Sequence, residues 1–222
     1  MRRSESTSVQ AICIVLTMVL LLVAGCFGVS KQSNRKAYPV IIVAIDRSGS
    51  TDAFRESYKL ASMAATAHTA DNRSSLGFYA VDRKAISIDE PHRYEVGGLT
   101  ASVQSELSSR QSQRSVGTRP LALWQEMTER FGNAKTPVYI AFLTDGGNDF
   151  AGENKLVTAA LKQLSTNNNV HVALLGVNPE LSTNARRDLQ PFGERGLLTL
   201  QNGMASKEAL RADLMRFIGG GK

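Results

Sequence analysis

Asp46 stands at the carboxyl end of an unbroken apolar run, Val40-Ile41-Ile42-Val43-Ala44-Ile45, and is followed by Arg47-Ser48-Gly49-Ser50-Thr51. Alternate side chains of an extended segment share one side. Asp46, Ser48 and Ser50 therefore converge on one point, with Gly49 free to turn tightly. One carboxylate and two hydroxyls form an all-oxygen donor set that suits a hard cation. Two further stretches offer the same chemistry. Thr118 lies in a loop immediately before a helix that opens at Pro120, and Asp145 follows a second apolar run, residues 138–143. Two carboxylates offset a divalent charge, and hydroxyls and waters fill an octahedral shell of the kind Mg2+ or Mn2+ adopts. The protein ligands are too few to close that shell. An Asp or Glu carboxylate from a protein partner is the natural occupant of the open position.

These residues need elements to hold them. The run ending at Asp46 has no polar residue, as expected of a strand buried on both faces of a parallel sheet. Further strands are expected at 74–81, 85–88, 138–143, 170–177 and 197–200. Helices are expected at 52–70, 102–109, 120–131, 153–164, 183–189 and 207–218, with Pro120 suited to a first turn. The first of these carries Phe54, Tyr58, Ala61, Met63 and Ala65 as its apolar stripe. Residues 91–100 read as loop around Gly97-Gly98. Strands alternating with helices give an α/β fold: a three-layer, doubly wound, mainly parallel sheet with helices on both faces. The carboxyl ends of its strands are where such sheets bind ligands.

Asp46, Ser48 and Ser50 with Thr118 and Asp145 resemble the metal-ion-dependent adhesion site of von Willebrand factor type A domains. That pattern is D-x-S-x-S, then a threonine, then an aspartate, each at a strand-to-helix edge, and all five positions match in order. The resemblance spans residues 38–218. It implies a Rossmann-like sheet and a bound divalent cation whose shell a partner's carboxylate completes. In such domains some carboxylates act through water while the hydroxyls coordinate directly.

The 222 residues are 42% hydrophobic and 21% charged, with a formal net charge of +6, the composition of an ordinary globular domain. No Lys/Arg run and no basic patch interleaved with aromatics is present, so nucleic acid is not the expected partner. Both cysteines, Cys13 and Cys26, fall in the apolar N-terminal stretch, which excludes a disulfide framework or a cysteine-ligated zinc site in the folded domain. Arg2 and Arg3 precede the apolar residues 11–23, and Leu22-Val23-Ala24-Gly25-Cys26 follows. This resembles a bacterial lipoprotein signal, with Cys26 the lipidated new N-terminus. The alternative is an uncleaved anchor over residues 11–29. Both readings tie the domain to a membrane, and the lipoprotein reading places it outside the cytoplasm, lipid-anchored in the bacterial cell envelope. Residues 27–37 form a polar tether and 219–222 a frayed tail.

An enzyme is not expected. The position two residues after Asp46 is Ser48, where a haloacid-dehalogenase-type phosphatase needs a second aspartate. No G-x-S-x-G elbow, P-loop or G-x-G-x-x-G occurs. His68, His92 and His171 show no triad or metal spacing and read as helix, loop and strand residues. Arg47 should point away from the cation, and Arg110, Arg114 and Arg119 read as solvated arginines beside the Thr118 loop. Asn148 and Asp149 read as polar loop, and Trp124 as core. Two other functions remain: an envelope scaffold with a purely structural cation, and a metal-dependent phosphoesterase.

Overall fold

The strand that begins at Val40 is buried because the sheet continues on both sides of it. The computed structural model describes residues 38–94, 98–108, 117–200 and 207–220. The signal segment with Cys26, the tether, Arg110 and Arg114 lie outside the described residues. Strand β1 (Val40–Asp46) pairs in parallel with β2 (Ser75–Val81) on one side and β4 (Val138–Leu143) on the other. β5 (Val170–Val177) and β6 (Gly196–Leu200) extend the sheet in parallel, and β3 (Ala85–His92) closes the opposite edge as an antiparallel partner of β2. Among the described residues the sheet order is β3-β2-β1-β4-β5-β6. The chain winds outward from β1 to one edge and returns to β4 on β1's other flank. The crevice at the carboxyl ends of β1 and β4 is thus the topological switch point, where open α/β sheets take their ligands.

The alternation of β1 divides the core. Ile42 and Ala44 face a layer made by α3 (Pro120–Phe131), α4 (Asn154–Ser165) and α5 (Ser182–Leu189), contributing Leu123, Trp124, Leu161 and Leu189. Ile41, Val43 and Ile45 face α1 (Arg55–Asn72), α2 (Ala101–Ser108) and α6 (Lys207–Ile218), which contribute Tyr58, Val103 and Leu214. The three-layer, mainly parallel architecture expected from the sequence is the one observed.

Two local expectations differ. β3 runs on to His92, because a register shift between Leu76 and Phe78 accommodates Pro91 on an edge strand that needs no donor there. His92 is therefore a strand residue. In α1, Met63 is 46% exposed, and the buried side is Ser57, Tyr58, Ala61, Ser62, Ala65, Thr66 and Thr69. Small residues let this helix pack closely. The Thr66 and Thr69 hydroxyls are satisfied by the Met63 and Thr66 carbonyls at 2.7 and 2.9 Å. No helix among the described residues is long and apolar enough to cross a membrane.

Candidate metal centre

Asp46 ends β1 with its carboxylate 2% exposed. Its Oδ1 accepts from the Ser48 backbone N–H at 2.8 Å and from the Thr118 hydroxyl, and its Oδ2 accepts from the Thr144 hydroxyl at 2.7 Å. The chain then turns through a 3₁₀ segment, Gly49–Phe54. The Thr51 hydroxyl fixes that turn, 3.0 Å from the Asp46 carbonyl oxygen and 2.7 Å from that of Ser48. The turn sets the Ser48 and Ser50 hydroxyls 2.9 Å apart, Ser48 buried and Ser50 exposed.

Thr118 arrives from a different part of the chain and is fully buried. Its backbone N–H donates to Asp149 Oδ2 at 2.7 Å, and its carbonyl accepts from the Asp149 N–H at 3.2 Å. Gly117 precedes it at φ +52°, with Asp149 packed against its Cα. Asp145 follows β4, its Oδ1 accepting from the Gly147 N–H at 2.8 Å and its carbonyl from the Asn178 N–H at 2.8 Å. Thr144 receives the Gly146 N–H at 2.9 Å, so its one hydroxyl braces both the Asp145 loop and Asp46. Asp46, Ser48 and Thr118 are thus in direct contact, Ser50 is bonded to Ser48, and Asp145 leaves the adjacent strand beside Thr144.

The electrostatics of this cluster are those of an uncompensated anion. Burial pushes the Asp46 carboxyl above its usual range, against hydrogen bonds from Thr118, Ser48 and Thr144 that pull it back. Among the described residues no ion pair joins Asp46 to a Lys, Arg or His. The buried Tyr58 phenol is pushed well up by burial first, then by the negative charges of Asp46 and Asp145. No three His, Cys, Asp or Glu side chains gather anywhere among the described residues. A nitrogen or sulfur metal site has no basis there, whereas hydroxyl and carboxylate oxygens around a buried negative charge fit a hard divalent cation.

The neighbours sort as follows. Arg47 turns to Glu106 on α2 at 2.8 Å and to Asp82 at 3.9 Å, in line with its expected direction. Arg119, partly exposed as expected of a surface arginine, pairs with Glu153 through both carboxylate oxygens at 2.6 and 2.8 Å. Asn148 bonds Asn154 at 2.8 Å, and Asp149 braces Thr118. Trp124 is buried edge-on to Phe142, as expected of core. His68 bonds Asn72, while His92 and His171 stack on Tyr94 and Tyr139, all outside the cluster. Thr144, Asp149 and Thr51 are the supporting residues that the motif did not single out. Thr144 and Thr51 adjoin Asp145 and Ser50 in sequence and Asp149 lies four residues after Asp145, but nothing in sequence pairs them with their partners.

No family model matches the sequence, and no curated protein matches it. Solved structures do. A von Willebrand factor type A structure from Catenulispora acidiphila superposes with a TM-score of 0.59 at 18% identity, covering 80% of this chain and 41% of that one. The fold is that of von Willebrand factor type A domains. An aerotolerance-related membrane protein from Bacteroides fragilis matches at a TM-score of 0.53 and 15% identity, over 81% of this chain and all of the other. Proximal thread matrix protein 1 from the mussel byssus, described with a zinc-occupied MIDAS motif, matches at 0.55 and 13% identity over 82% and 45%. The chain spans less than half the length of the first and third of these. The type A fold accounts for the placing of Asp46 and Asp145, since β1 and β4 flank its switch point.

Proposed function

We propose that this type A domain holds a divalent cation at the carboxyl edge of β1 and β4 and binds a protein partner whose Asp or Glu carboxylate completes the cation's shell. The observation that carries the reading is Asp46: a buried carboxylate ringed by hydroxyls, with no cationic side chain among the described residues to neutralise it. Asp46, Ser48, Ser50, Thr118 and Asp145 would hold the ion, Mg2+ or Mn2+, with Asp145 and Asp46 supplying the charge and the hydroxyls the remaining protein oxygens. When bound, the ion supplies a Lewis-acidic position for an incoming carboxylate. Ser50, exposed at the turn, lies on the side from which a partner approaches. We read the domain as a binding module rather than an enzyme: among the described residues no nucleophile–base pair stands beside Asp46, and Asp46 and Asp145 are fewer carboxylates than a two-metal hydrolase needs.

The test is a calorimetric titration of Mg2+, Mn2+ and Zn2+ into the wild type, Asp46→Ala and Asp145→Ala. Saturable binding by the wild type and its loss in both variants is expected, and a silent wild type in the presence of an acidic peptide would overturn the reading. A cation that binds while carboxylate peptides do not would favour the structural-cation scaffold instead. Envelope attachment through a lipid on Cys26 is part of the proposal. A radiolabelled fatty acid should be incorporated by the wild type and not by Cys26→Ser, and a membrane-bound wild type that takes up no label would point to the uncleaved anchor.

A further inference from the structure

A second feature opens on the same edge of the sheet. Between α3, α4, α5 and the sheet lies a cavity of about 210 Å³, floored by Trp124, Phe142, Val157, Leu161, Leu174 and Ala185. Its rim is polar: Thr144, Gly146, Gly147 and Asn148 from the loop after β4, with Asn184 from α5. Trp124, Phe142 and Leu161 form its closed end, each no more than 1% exposed, while Val157, Leu174 and Ala185 are 4%, 7% and 6% exposed. An apolar cavity of about 150 Å³ is enough to hold a benzene ring. This one therefore accepts one aromatic or branched aliphatic group.

The wall it shares with the cation site names the occupant. Thr144 lines the cavity and donates to Asp46 Oδ2 at 2.7 Å. Gly147 lines it and donates its N–H to Asp145 Oδ1 at 2.8 Å. The cavity and the cluster are thus separated by one loop, and Gly147 is two residues from Asp145. Successive residues of an extended peptide are about 3.3 Å apart, so a carboxylate at the cation and a side chain one or two residues away reach both places together.

We infer that the cavity is a specificity pocket for an apolar side chain of the partner, of the size of Phe or Leu, one or two residues from the acid that meets the cation. This rests on the cation-site reading above. The pocket would choose among acidic partners, while the cation alone would accept any exposed Asp or Glu. Gly146 and Gly147 put bare backbone on one side of the rim, while Asn148, Asn184 and the Asp188 carboxylate supply its polar side chains.

Trp124 is the sole tryptophan of the chain and lies in the pocket floor, so its fluorescence reports occupancy. Iodobenzene, a heavy-atom quencher, should quench wild-type emission saturably without any cation. Ala185→Phe and Val157→Phe fill the pocket from two different walls, and either folded variant should lose that saturable phase. The second arm uses two acetylated, amidated peptides in Mg2+, Gly-Asp-Phe-Phe-Gly and Gly-Asp-Ala-Ala-Gly. The Phe peptide should bind roughly tenfold to a hundredfold more tightly, the effect of burying one ring, and the filled variants should bind both alike. No saturable quenching overturns the pocket and leaves the cation site standing. Quenching with equal peptide affinities also overturns it, since the cavity then plays no part in recognition. If neither peptide binds and Mg2+ titration is silent, the cation-site reading falls and this inference with it.

Discussion

The backbone N–H of Thr118 donates to the carboxylate of Asp149 at 2.7 Å, and the Asp149 N–H returns a bond to the Thr118 carbonyl at 3.2 Å. This reciprocal pair clamps the loop before α3 to the loop after β4, and so sets where the Thr118 hydroxyl meets Asp46. Asp149→Ala leaves a buried N–H unpaired, at a cost of about 1–3 kcal/mol. Gly117→Ala strikes the same clamp from the other side. Its Cβ would lie 2.3 Å from Asp149 Oδ2, and its φ of +52° disfavours a side chain. Both variants should keep the far-ultraviolet circular dichroism of the wild type, melt lower and bind Mg2+ more weakly. Calorimetric affinities equal to the wild type's in both would show that the clamp does not position Thr118.

Removing the charge of Asp46 should have opposite effects on the two states of the domain. In chelator, Asp46→Asn relieves a buried carboxylate that no cationic side chain among the described residues offsets, while its amide oxygen can still accept from Ser48 N–H and Thr118. A gain on the order of 1 kcal/mol raises the melting temperature by about 2–4 °C for a domain of this size. Cation binding disappears at the same time, so Mg2+ stabilises the wild type and leaves the variant unmoved. Scanning calorimetry of both proteins with chelator and with Mg2+ checks the crossing. A variant that melts below the chelated wild type would mean that the buried charge is already compensated.

Acid should loosen the domain through His171, in which burial first and the nearby Arg195 charge second hold the imidazole below its usual value. The unfolded chain protonates near pH 6.5. A depressed folded value means that the associated stability is intact above about pH 6.5 and is lost as pH falls through the folded value. His68 is shifted in the same direction by burial, with Asp71 opposing it, so the wild type should show both contributions. His171→Gln keeps a polar group beside Tyr139 and should flatten part of the slope. Melting temperatures from pH 7.5 to 5 in chelator provide the measurement, and parallel curves for variant and wild type would remove His171 from the account.

The elements that sequence conveyed best were those whose residues carry their own instructions. The apolar β4, the β5 run that is apolar except for His171, and the Pro120-initiated α3 lie where pattern and first-turn chemistry put them. The proposed cation ligands Asp46, Ser48 and Ser50 stood out as a motif because they are spaced within one turn. Their supports were not. Thr144 reaches Asp46 across 98 positions and Asp149 reaches Thr118 across 31, and neither contact leaves a local signature. Met63 was misread because α1 buries small hydroxyl residues against its neighbours, a preference set by close helix approach rather than hydropathy. β3 was expected to end at residue 88, and it continues through Asp89, Glu90 and Pro91 because an edge strand accepts charged residues and a proline that a central strand would not.

That edge carries a further test, because Gly77 on β2 is where the irregular part of β3 comes closest. A Cβ at Gly77 would lie 2.9 Å from Cγ and 3.0 Å from Cδ of Pro91, with the Pro91 nitrogen also at 3.0 Å. Gly77→Ala must push the bulged strand outward or distort β2, and overpacking of this kind costs about 1–3 kcal/mol. Pro91→Ala removes both ring carbons while the backbone nitrogen stays, so the double variant should recover part of the loss. Gly77 pairs with Ile42, four residues before Asp46, so Mg2+ affinity should stay at the wild-type value while stability falls. Denaturant melts of the two single variants and the double variant give the coupling. Strictly additive effects would show that the Gly77–Pro91 contact is not what requires glycine there.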